Sequence, residues 1–421
     1  MKDEILVGID LGSSRIRIAV GQVSLSDNRR TSVNIIGLTE SPSNGFSKGC
    51  ITSLEDAVSA ISSSLEQTER LVGVPIQSAL VGIGGSHITA SKAKGVIGVS
   101  RPDGEIRKED VDRAIESARA GANPANMEIL HLLPQRFTVD GQKDIKDPIG
   151  MQGIRLEADV LVVQGLTSHV KNITRAVFRT RLDIDELVYA PLAAAEAVLT
   201  SRQKELGVCV LCIGASTSGL TVYEDGELLH ATTIGIGSDH ITSDVAIGLR
   251  VALDVAEVIK RERGSAVPED VGRRDEIDVQ EYGADQSEIV SIQYISEIIE
   301  ARVEELLEKV EDELKKIDRS GMLPAGIVFT GGGAKLSGLI HVAKRILQLP
   351  AFVGQAQVQS SLPELAHDPA YSTAVGLVQW GFESIRNQET FRPNWNSGSH
   401  KKGILQSIIG PIKKIGKSFM P

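Results

Sequence analysis

The chain has 421 residues, a formal net charge of −10, 41% hydrophobic and 24% charged residues, which is the composition of a globular protein with room for two or three domain-sized units. Its acidic balance and 4% aromatic content argue against a nucleic-acid-binding surface, and its three cysteines argue against a disulfide scaffold. Apolar runs such as VLVVQGL are far shorter than the ~18 to 20 residues that span a membrane, and the first residues lack a signal-peptide layout, so we expect a cytoplasmic protein.

The first half of the chain opens with a predicted hairpin. The stretch ILVGIDLGSSRIRIAV reads as a strand, a Gly/Ser turn and a second strand, and it is followed by a helix at SLEDAVSAISSSLEQTERLVG and a strand at SALVGIGG. Residues from about 86 to 162 then hold a helix after a Pro-Gly turn and extended segments that break any regular alternation. We interpret them as an inserted subdomain.

Regular alternation resumes after this insertion. The segments DVLVVQGL, HVKNITRAVFRT, ELVYA and PLAAAEAVLTSRQKEL predict a strand, a helix, a strand and one further helix that opens at Pro191. Such alternation is typical of an α/β fold in which parallel strands are joined by crossover helices.

The second half repeats the opening hairpin. VCVLCIGASTSGLTVY can be laid over the first hairpin with Gly12 on Gly214, Ser14 on Ser216 and Val20 on Val222, which indicates an internal duplication. Helices are predicted at SDHITSDVAIGLRVALDVAEVIKRERG and at SEIVSIQYISEIIEARVEELLEKVEDELKKI. The second helix carries an apolar stripe that we expect to face the core, made of Ile292, Ile295, Ile299, Val303, Leu306, Val310, Leu314 and Ile317. After Trp380 and Gly381 the chain becomes polar and loses periodicity, which predicts a flexible linker.

The glycine turns are candidate phosphate-binding elements. Gly lets a backbone approach a phosphate closely, and small polar side chains add donors, as at Gly12, Ser13 and Ser14. The second copy offers Gly214, Ser216 and Thr217, so two facing turns would hold a polyphosphate from both sides. Asp10 stands where a carboxylate could bind the waters of Mg²⁺. A third turn, TGGGAKLSG, leads towards a helix N-terminus suited to phosphate or ribose.

These motifs resemble the actin superfamily and, within it, the FtsA family of bacterial division proteins, nearly from end to end. GIDLGSSRIRIAV resembles the first phosphate motif, VLCIGASTSGLTVYEDG the second and GIVFTGGGAKLSGL the adenosine motif, while GGSHIT and DPAYSTAVGLVQWG resemble stretches of the FtsA family itself. The resemblance implies an actin-like, duplicated ribonuclease-H-like two-lobed fold with an inserted subdomain, ATP and Mg²⁺ between the lobes, and filament formation. It also implies binding of the FtsZ C-terminal tail, and contacts with other division proteins.

The resemblance extends the site to further positions. It places Glu257 and Lys260 near the nucleoside. The full set of expected nucleotide ligands is Asp10, Gly12, Ser13, Ser14, Arg15, Gly214, Ala215, Ser216, Thr217, Gly237, Asp239, Glu257, Lys260, Gly331, Gly332, Gly333 and Lys335. The second phosphate motif departs from the superfamily, because Cys212, Ala215, Ser216 and Gly219 stand where carboxylates and glycines are usual. We therefore expect ATP binding with weak or absent hydrolysis.

The expected organisation follows from these segments. We assign 1–85 and 163–200 to the first lobe, 86–162 to the inserted subdomain, 201–235 to the core of the second lobe, 236–321 to its small subdomain with the FtsZ-binding surface, 322–386 to the remaining second-lobe core and the return to the first lobe, 387–400 to a linker and 401–421 to a membrane-binding helix.

The final segment, KKGILQSIIGPIKKIGKSFMP, carries five lysines and no acidic residue. At ~100° per residue its apolar side chains fall within an arc of roughly 140°, with lysines beyond its edge. The expected membrane-binding residues are Ile404, Leu405, Ile408, Ile409, Ile412, Lys413, Lys414, Ile415, Lys417 and Phe419. Such a helix lies on anionic lipids rather than spanning them, with a kink expected at Pro411, and this predicts a peripheral protein on the cytoplasmic face of the membrane at the division site.

Three functions are compatible with these features. The first is an ATP-binding, polymerising protein that tethers FtsZ filaments to the membrane and helps assemble the division machinery. The second is a pilus-assembly scaffold resembling the PilM family, whose members usually lack a basic amphipathic tail. The third is an actin-fold small-molecule kinase, which needs a catalytic acid that the sequence does not single out.

Overall fold

A computed structural model describes residues 4–26, 29–122, 125–272 and 274–390. Within these ranges the chain forms two α/β lobes and one smaller inserted unit. The predicted membrane-binding residues from Ile404 to Phe419, and positions 391–400 of the predicted linker, lie outside the described residues.

The first lobe begins with a hairpin and a helix. Its opening elements are strands β1 (Glu4–Leu11), β2 (Arg15–Ser26), β3 (Arg29–Pro42), β4 (Phe46–Ser47) and β5 (Cys50–Ile51), helix α1 (Leu54–Val72) and strand β6 (Ser78–Ile83). β1 and β2 pair antiparallel around the Gly/Ser turn, as predicted. The hydroxyl of Ser53 accepts a hydrogen bond from the Asp56 N–H at the start of α1, and Gly73 ends the helix in the left-handed conformation that glycine favours.

The insert, which we define as residues 88–166, follows directly. It comprises β7 (Ile88–Gly98), α2 (Lys108–Gly121), β8 (Met127–Val139), β9 (Gln142–Ile145) and β10 (Arg155–Leu166). Its strands form an antiparallel sheet in the order β7-β10-β8-β9, with a core of its own that includes Ile106, Phe137 and Leu156. α2 lies on this sheet at Gly95, where a Cβ would come within 1.9 Å of the Ala114 carbonyl oxygen.

The chain then returns to the first lobe through α3 (Thr167–Arg179), β11 (Asp183–Tyr189) and α4 (Ala190–Val198), and the short helix α5 (Ser201–Leu206) leads into the second lobe. β11, β6 and β1 run parallel, which confirms the predicted crossover topology. The single helix predicted from Pro191 to Leu206 is wrong, because Leu199 is extended and Thr200 starts a second helix. Thr200 and Gln203 form a reciprocal capping box, in which each side chain accepts from the other residue's backbone N–H.

The second lobe contains β12 (Val208–Ile213), β13 (Ser218–Glu224), β14 (Glu227–Ile234), α6 (Ser238–Leu249), α7 (Leu253–Arg263), β15 (Glu276–Asp278), β16 (Ile289–Ser291), α8 (Ile292–Lys316), β17 (Ile327–Thr330), α9 (Leu339–Leu347) and β18 (Ala351–Val353). Short 3₁₀ helices lie at Pro268–Asp270, Val279–Tyr282 and Gly332–Lys335. Its main sheet has the order β14-β13-β12-β17-β18, with β12, β17 and β18 parallel.

Two helical predictions in this lobe have different outcomes. The stretch from Ser238 to Arg263 was expected to be one helix, but it is divided because Arg250 adopts a left-handed conformation (φ 54°) that ends α6. The apolar stripe of α8 is confirmed from Ile295 to Leu314, whose stripe residues are all buried, while Ile292 and Ile317 at its ends are partly buried against the same core.

The last described elements bring the chain back to the first lobe. They are β19 (Gln359–Ser360), α10 (Pro363–Ala366), a 3₁₀ turn (Pro369–Tyr371) and α11 (Ser372–Thr390). β19 completes the first-lobe sheet, which has the order β11-β6-β1-β2-β3-β19. The expectation that structure is lost after Gly381 is wrong, because Phe382 is buried and Ile385 packs on the core, so α11 continues into the first four positions of the predicted linker.

α11 packs across β1 and β2, the first two strands of the chain. A Cβ on Gly8 would stand 2.5 Å from the Ala374 carbonyl oxygen, and one on Gly21 would stand 2.4 Å from a methyl of Val378. The helix therefore closes the first lobe. In the described part of the chain, no helix is both long and apolar enough to pass through a membrane.

Candidate functional site

The two lobes enclose a cleft of about 960 Å³, and the three glycine turns meet in it. The predicted ligand positions that line the cleft are Asp10, Gly12, Ser13, Ser14, Arg15, Gly214, Ala215, Ser216, Thr217, Asp239, Glu257, Lys260, Gly331, Gly332, Gly333 and Lys335. Gly237 does not line it. Residues from both halves of the sequence, more than 300 positions apart, are thus brought to one space.

The first two turns have the same local geometry. A Cβ on Gly12 would be 2.6 Å from the carbonyl oxygen of Arg15, and a Cβ on Gly214 would be 2.9 Å from the carbonyl oxygen of Thr217. Both turns therefore need glycine at the same place for the same steric reason. This equivalence, between turns that each join an antiparallel pair of strands, is the physical counterpart of the duplication seen in the sequence.

The carbonyl oxygens of each turn accept hydrogen bonds from another part of the same lobe. In the first turn, Ser43 donates its backbone N–H to the Ser14 carbonyl oxygen (3.1 Å) and its hydroxyl to the Gly12 carbonyl oxygen (2.5 Å). In the second, the N–H groups of Ser238 and Asp239 at the start of α6 donate to the carbonyl oxygens of Gly214 (2.9 Å) and Ala215 (2.8 Å). These bonds fix the turns before any ligand arrives.

Gly237 has a supporting position next to the second turn. A Cβ there would lie 2.4 Å from the Ala215 carbonyl oxygen and 2.6 Å from the Thr217 nitrogen. It lets the start of α6 pack directly on the turn, so its part in the site is to position that turn.

The third turn is a tight backbone bend packed on Ile213. Gly331 has a φ of 82°, and a Cβ on Gly331 or Gly333 would be within 2.5 Å of Ile213 atoms, whereas Gly332 faces open space. The turn contains the 3₁₀ helix Gly332–Lys335, and α9 begins at Leu339, directly after the stretch TGGGAKLSG, as predicted. Lys335 forms an ion pair with Asp368.

Asp10 is the carboxylate closest in sequence to the first turn, and it lies opposite Arg17 in the β1–β2 register. Desolvation raises the pKa of its carboxyl to about 6, while the Arg17 guanidinium acts in the opposite direction. The charged form is therefore poorly solvated, and a cation beside it would be favoured. Asp10 thus fits the predicted role of accepting hydrogen bonds from water bound to Mg²⁺.

The predicted second phosphate motif has Cys212 at the position where the resemblance leads to the expectation of an acid. Burial, together with the nearby Asp10 carboxylate, raises the pKa of Cys212 to about 12, so this side chain is a neutral thiol at physiological pH. Its Sγ lies 4.0 Å from the Thr373 hydroxyl. Gly219, which pairs with Cys212 in the β12–β13 register, supplies no side chain. The strands that flank the second turn therefore lack carboxylates at both of these positions.

On the α6–α7 side, Lys260 is a buried support. Its Nζ donates to the Thr242 hydroxyl (2.7 Å) and the Ser238 carbonyl oxygen (3.3 Å), and it lies 2.6 Å from Glu257 Oε2. Thr242 also donates to Glu257 Oε2 (2.6 Å). An ammonium has three N–H donors, and three oxygens lie within reach here. Lys260 therefore ties α6 to α7 and holds the half-exposed Glu257 at the rim of the cleft.

The cleft includes residues that sequence reasoning did not assign to the site. Arg17 lies in the cleft between Glu40, which it pairs with at 2.7 Å, and the ring of Tyr371, over which it stands at 5.7 Å. The alternation RIRI places Arg15 and Arg17 on one face of a strand, and this signal could have identified Arg17. Asp368 belongs to a loop far along the chain, and its place in the cleft follows only from the return of the chain to the first lobe.

The family models and the relatives found by sequence agree on one family. The model described as "Cell division protein FtsA" matches residues 209–376, and the model described as "SHS2 domain inserted in FTSA" matches residues 85–164. The chain is 35% identical over 386 residues to the Cell division protein FtsA of Bacillus subtilis strain 168, covering 92% of this chain and 85% of that one. It is 34% identical over 393 residues to that of Escherichia coli K12, covering 92% of both.

Solved structures support the fold at much lower identity. The PilM-PilN type IV pilus biogenesis complex matches with a TM-score of 0.63 and 16% identity, over 90% of this chain and 98% of that one. MreB5 of Spiroplasma citri bound to ADP matches with a TM-score of 0.53 and 11% identity, over 92% and 99% of the two chains. Together with the match to the inserted domain, these likenesses confirm the predicted actin-like fold with its inserted subdomain.

Proposed function

The chain belongs to the FtsA family of cell division proteins, and on that premise we propose that it binds ATP with Mg²⁺, polymerises, and tethers FtsZ filaments to the cytoplasmic face of the membrane at the division site. Its C-terminal residues 401–421 would make the membrane contact, and its second-lobe subdomain, residues 236–321, would bind the FtsZ tail.

The observation that carries the nucleotide part of this proposal is the meeting of three glycine turns in one cleft. The first two turns are sterically equivalent and face the cleft from different lobes, so a polyphosphate between them would contact both lobes at once. The third turn and the Glu257 carboxylate would hold the nucleoside. Mg²⁺, held through water by Asp10, would neutralise phosphate charge beside a carboxylate that is itself poorly solvated.

The proposed FtsZ-binding surface has exposed apolar side chains. Within 236–321, Ile247 is 76% exposed and Tyr294 is 46% exposed. Ile247 directly precedes Gly248 in α6, and a Cβ on Gly248 would be 3.6 Å from the Tyr294 hydroxyl. Exposed apolar groups on helices that pack together favour the docking of another protein, and this supports placing the FtsZ tail on the α6–α8 side of the second lobe.

The membrane part rests on the sequence of the tail. Its arc of isoleucines would enter the interface, and each lysine near an anionic leaflet would contribute ~1 kcal/mol, so that one tail binds weakly. A filament aligns many tails, and the combined attachment becomes firm without any spanning segment.

The alternative roles receive less support. The likeness to PilM stands at 16% identity and shows the fold alone, whereas the FtsA relatives exceed 30% identity over about nine-tenths of the chain. No observation in the described cleft specifically favours the kinase alternative.

A co-sedimentation assay tests the tethering function. The full chain, ATP, FtsZ and liposomes with anionic lipids are mixed and centrifuged, and FtsZ is measured in the pellet. We expect FtsZ to sediment with the liposomes only when the chain is present, and to remain in the supernatant when Ile247→Glu weakens its docking surface. A matched Ile289→Glu variant controls for adding a charge at another exposed isoleucine (60% exposed) of the same subdomain. FtsZ that stays in the supernatant with the unmodified chain would contradict the proposal.

A further inference from the structure

The insert contacts the second lobe directly, along strand β14. This strand packs against β7, β8 and β10 of the insert. At its beginning, Gln135 of β8 donates from Nε2 to the Leu228 carbonyl oxygen (2.6 Å), and Arg136 pairs with Asp225 (2.8 Å) and Glu227 (3.2 Å). These contacts fix the start of β14, and the turn that precedes it, to the insert.

The other end of β14 reaches the cleft. Thr233 lines the cleft, and its hydroxyl shares a 2.7 Å hydrogen bond with the hydroxyl of Tyr189, at the end of β11 in the first lobe. Tyr189 is only 1% exposed. One strand therefore carries contacts to the insert at one end and to the first lobe and the cleft at the other.

Tyr189 also holds the insert. Its backbone N–H donates to Nε2 of His131 on β8 (2.9 Å), so this imidazole is neutral with its proton on Nδ1. The His131 ring packs edge-on against Trp380 of α11 at 5.4 Å between centroids, and its Nδ1 lies 4.0 Å from Glu186 Oε1. Tyr189 thus contacts three parts of the molecule: its own lobe, the insert through its backbone, and the second lobe through its hydroxyl.

We propose that the insert acts as a brace that controls nucleotide release from the cleft by holding β14 in a fixed position relative to the first lobe. The inference rests on the proposed ATP binding and assigns it a means of regulation. The second lobe cannot rotate away from the first without moving β14, and that movement breaks the Tyr189–Thr233 bond and the contacts of Gln135 and Arg136. Because coupling between sites is reciprocal, ATP in the cleft tightens the insert on β14, and anything that pulls the insert away speeds nucleotide release.

Dissociation of a fluorescent ATP analogue, chased with excess ATP and followed by stopped flow on the full chain, tests this inference. Arg136→Glu places a third negative charge against Asp225 and Glu227, and Tyr189→Phe removes the hydroxyl bond to Thr233. We expect either change to accelerate dissociation about fivefold to tenfold, in line with the loss of one or two interlobe hydrogen bonds. Two matched controls should leave the rate within twofold. Arg119→Glu makes the same charge change beside Glu116 on α2, and Tyr223→Phe removes the hydroxyl of another buried tyrosine, within the second lobe.

Hydrogen exchange on the unmodified chain gives a second readout that does not depend on any variant folding. ATP should slow amide exchange in residues 131–136 and 225–229, which lie outside the cleft lining. Protection confined to the glycine turns, with unchanged dissociation in both brace variants, overturns the inference while leaving ATP binding intact. If the unmodified chain binds no ATP, the proposed function fails and the brace has nothing to control.

Discussion

Gly219 lies directly against the ring of Pro191, and a Cβ on this glycine would stand 2.2 Å from the proline Cγ. Pro191 lies in the first turn of α4 in the first lobe, so the predicted second phosphate motif packs against the neighbouring lobe at the place where its resemblance to the superfamily would put an acid. No side chain fits there without moving α4. The missing carboxylate is thus built into the way the lobes pack.

The first prediction is that the chain binds ATP with Mg²⁺ but hydrolyses it slowly. The glycine turns are in place, whereas Cys212 and Gly219 provide no carboxylate to order an attacking water. Filter binding and phosphate release measure the two properties separately. Steady hydrolysis on the order of tens per second would contradict the interpretation of Cys212 and Gly219.

The second prediction concerns Gly332→Arg. Gly332 lines the cleft, and a Cβ there meets no atom within 4 Å, so the long side chain can enter the cleft without displacing the backbone. We expect ATP binding to be lost and the melting temperature to stay close to that of the unmodified chain. Gly121→Arg is the matched control, because a Cβ at the end of α2 also meets open space, away from the cleft. Gly12→Arg is a less selective change, since its Cβ would collide with the Arg15 carbonyl oxygen. Unchanged ATP affinity in folded Gly332→Arg protein would show that the nucleotide binds elsewhere.

The third prediction separates Lys260 from Glu257. Lys260→Met removes a buried ammonium that contacts three oxygens, and it leaves Thr242 and Glu257 without their shared partner. We expect the free energy of unfolding to fall by about 2 kcal/mol, because buried hydrogen-bonded charges are costly to disrupt. Glu257→Gln keeps an acceptor oxygen at a half-exposed site and should cost less than about 1 kcal/mol. Urea denaturation measures the free energy of unfolding of the two variants. Equal losses of this free energy would mean that Lys260 does not tie α6 to α7.

The fourth prediction concerns pH and the neighbouring His131 and Glu186. Burial lowers the pKa of His131 to about 4, so its contribution to stability is lost as pH falls below about 6.5, where the unfolded chain takes up the proton first. Burial raises the pKa of Glu186 to about 7, so the folded state holds that proton more tightly and gains stability as pH falls from 7 towards 4.5. The two effects oppose each other between about pH 4.5 and 6.5.

Glu186→Gln should leave His131 as the one of these two groups that changes stability with pH, since the amide still offers an oxygen to Trp380 Nε1 but does not titrate. Relative to the unmodified chain, the variant should lose about 2 kcal/mol of unfolding free energy between pH 6.5 and pH 5, at about 1.4 kcal/mol per pH unit. Urea denaturation at the two pH values checks this. Parallel pH profiles for the two proteins would rule out the opposing titrations.

The fifth prediction returns to the basic tail. Changing Ile408 and Ile412 to Glu, or removing residues 404–421, should abolish sedimentation with anionic liposomes, because either change removes the apolar face that enters the interface. ATP binding should be intact, since the expected nucleotide ligands lie between Asp10 and Lys335. Changing Ser407 and Ser418 to Glu is the matched control, because it adds two negative charges to the same tail at positions that fall outside the apolar arc of the helix. A truncated chain that still pellets with liposomes would remove the tail from the proposed function.

Much of the architecture was predictable because it depends on local patterns. Alternating apolar strands, the stripe of α8 and the repeated glycine turns each leave a periodic or compositional trace that sequence reasoning can recognise. Two of the errors came from single residues. Thr200 divides one predicted helix with a capping box, and the left-handed backbone of Arg250 divides another, although both segments are strongly helical in composition.

The site shows the same contrast. Its glycines were identifiable because tight turns demand them, whereas Asp368 and Thr242 enter it through contacts between distant segments. Lys260 was recognised as a cleft residue, but its actual partners depend on how α6 and α7 pack, which no local pattern reports. Gly237 does not line the cleft but packs on the second turn, and its contact with a ligand stays a prediction.

The packing of α11 on β1 and β2 has a consequence for synthesis of the protein. The first lobe cannot complete its core until residues 372–390 have left the ribosome, and at ~5 to 20 residues per second that is on the order of twenty to seventy seconds after β1. The insert is continuous in sequence and has its own core, so nothing in its connectivity delays its folding. The surfaces at Gly8 and Gly21 stay uncovered until Ala374 and Val378 have been synthesised and can pack on them. Because the basic tail follows α11, its lysines and isoleucines emerge only once the segment that closes the first lobe has been made, and the proposed membrane attachment would therefore be reserved for chains that are able to finish folding.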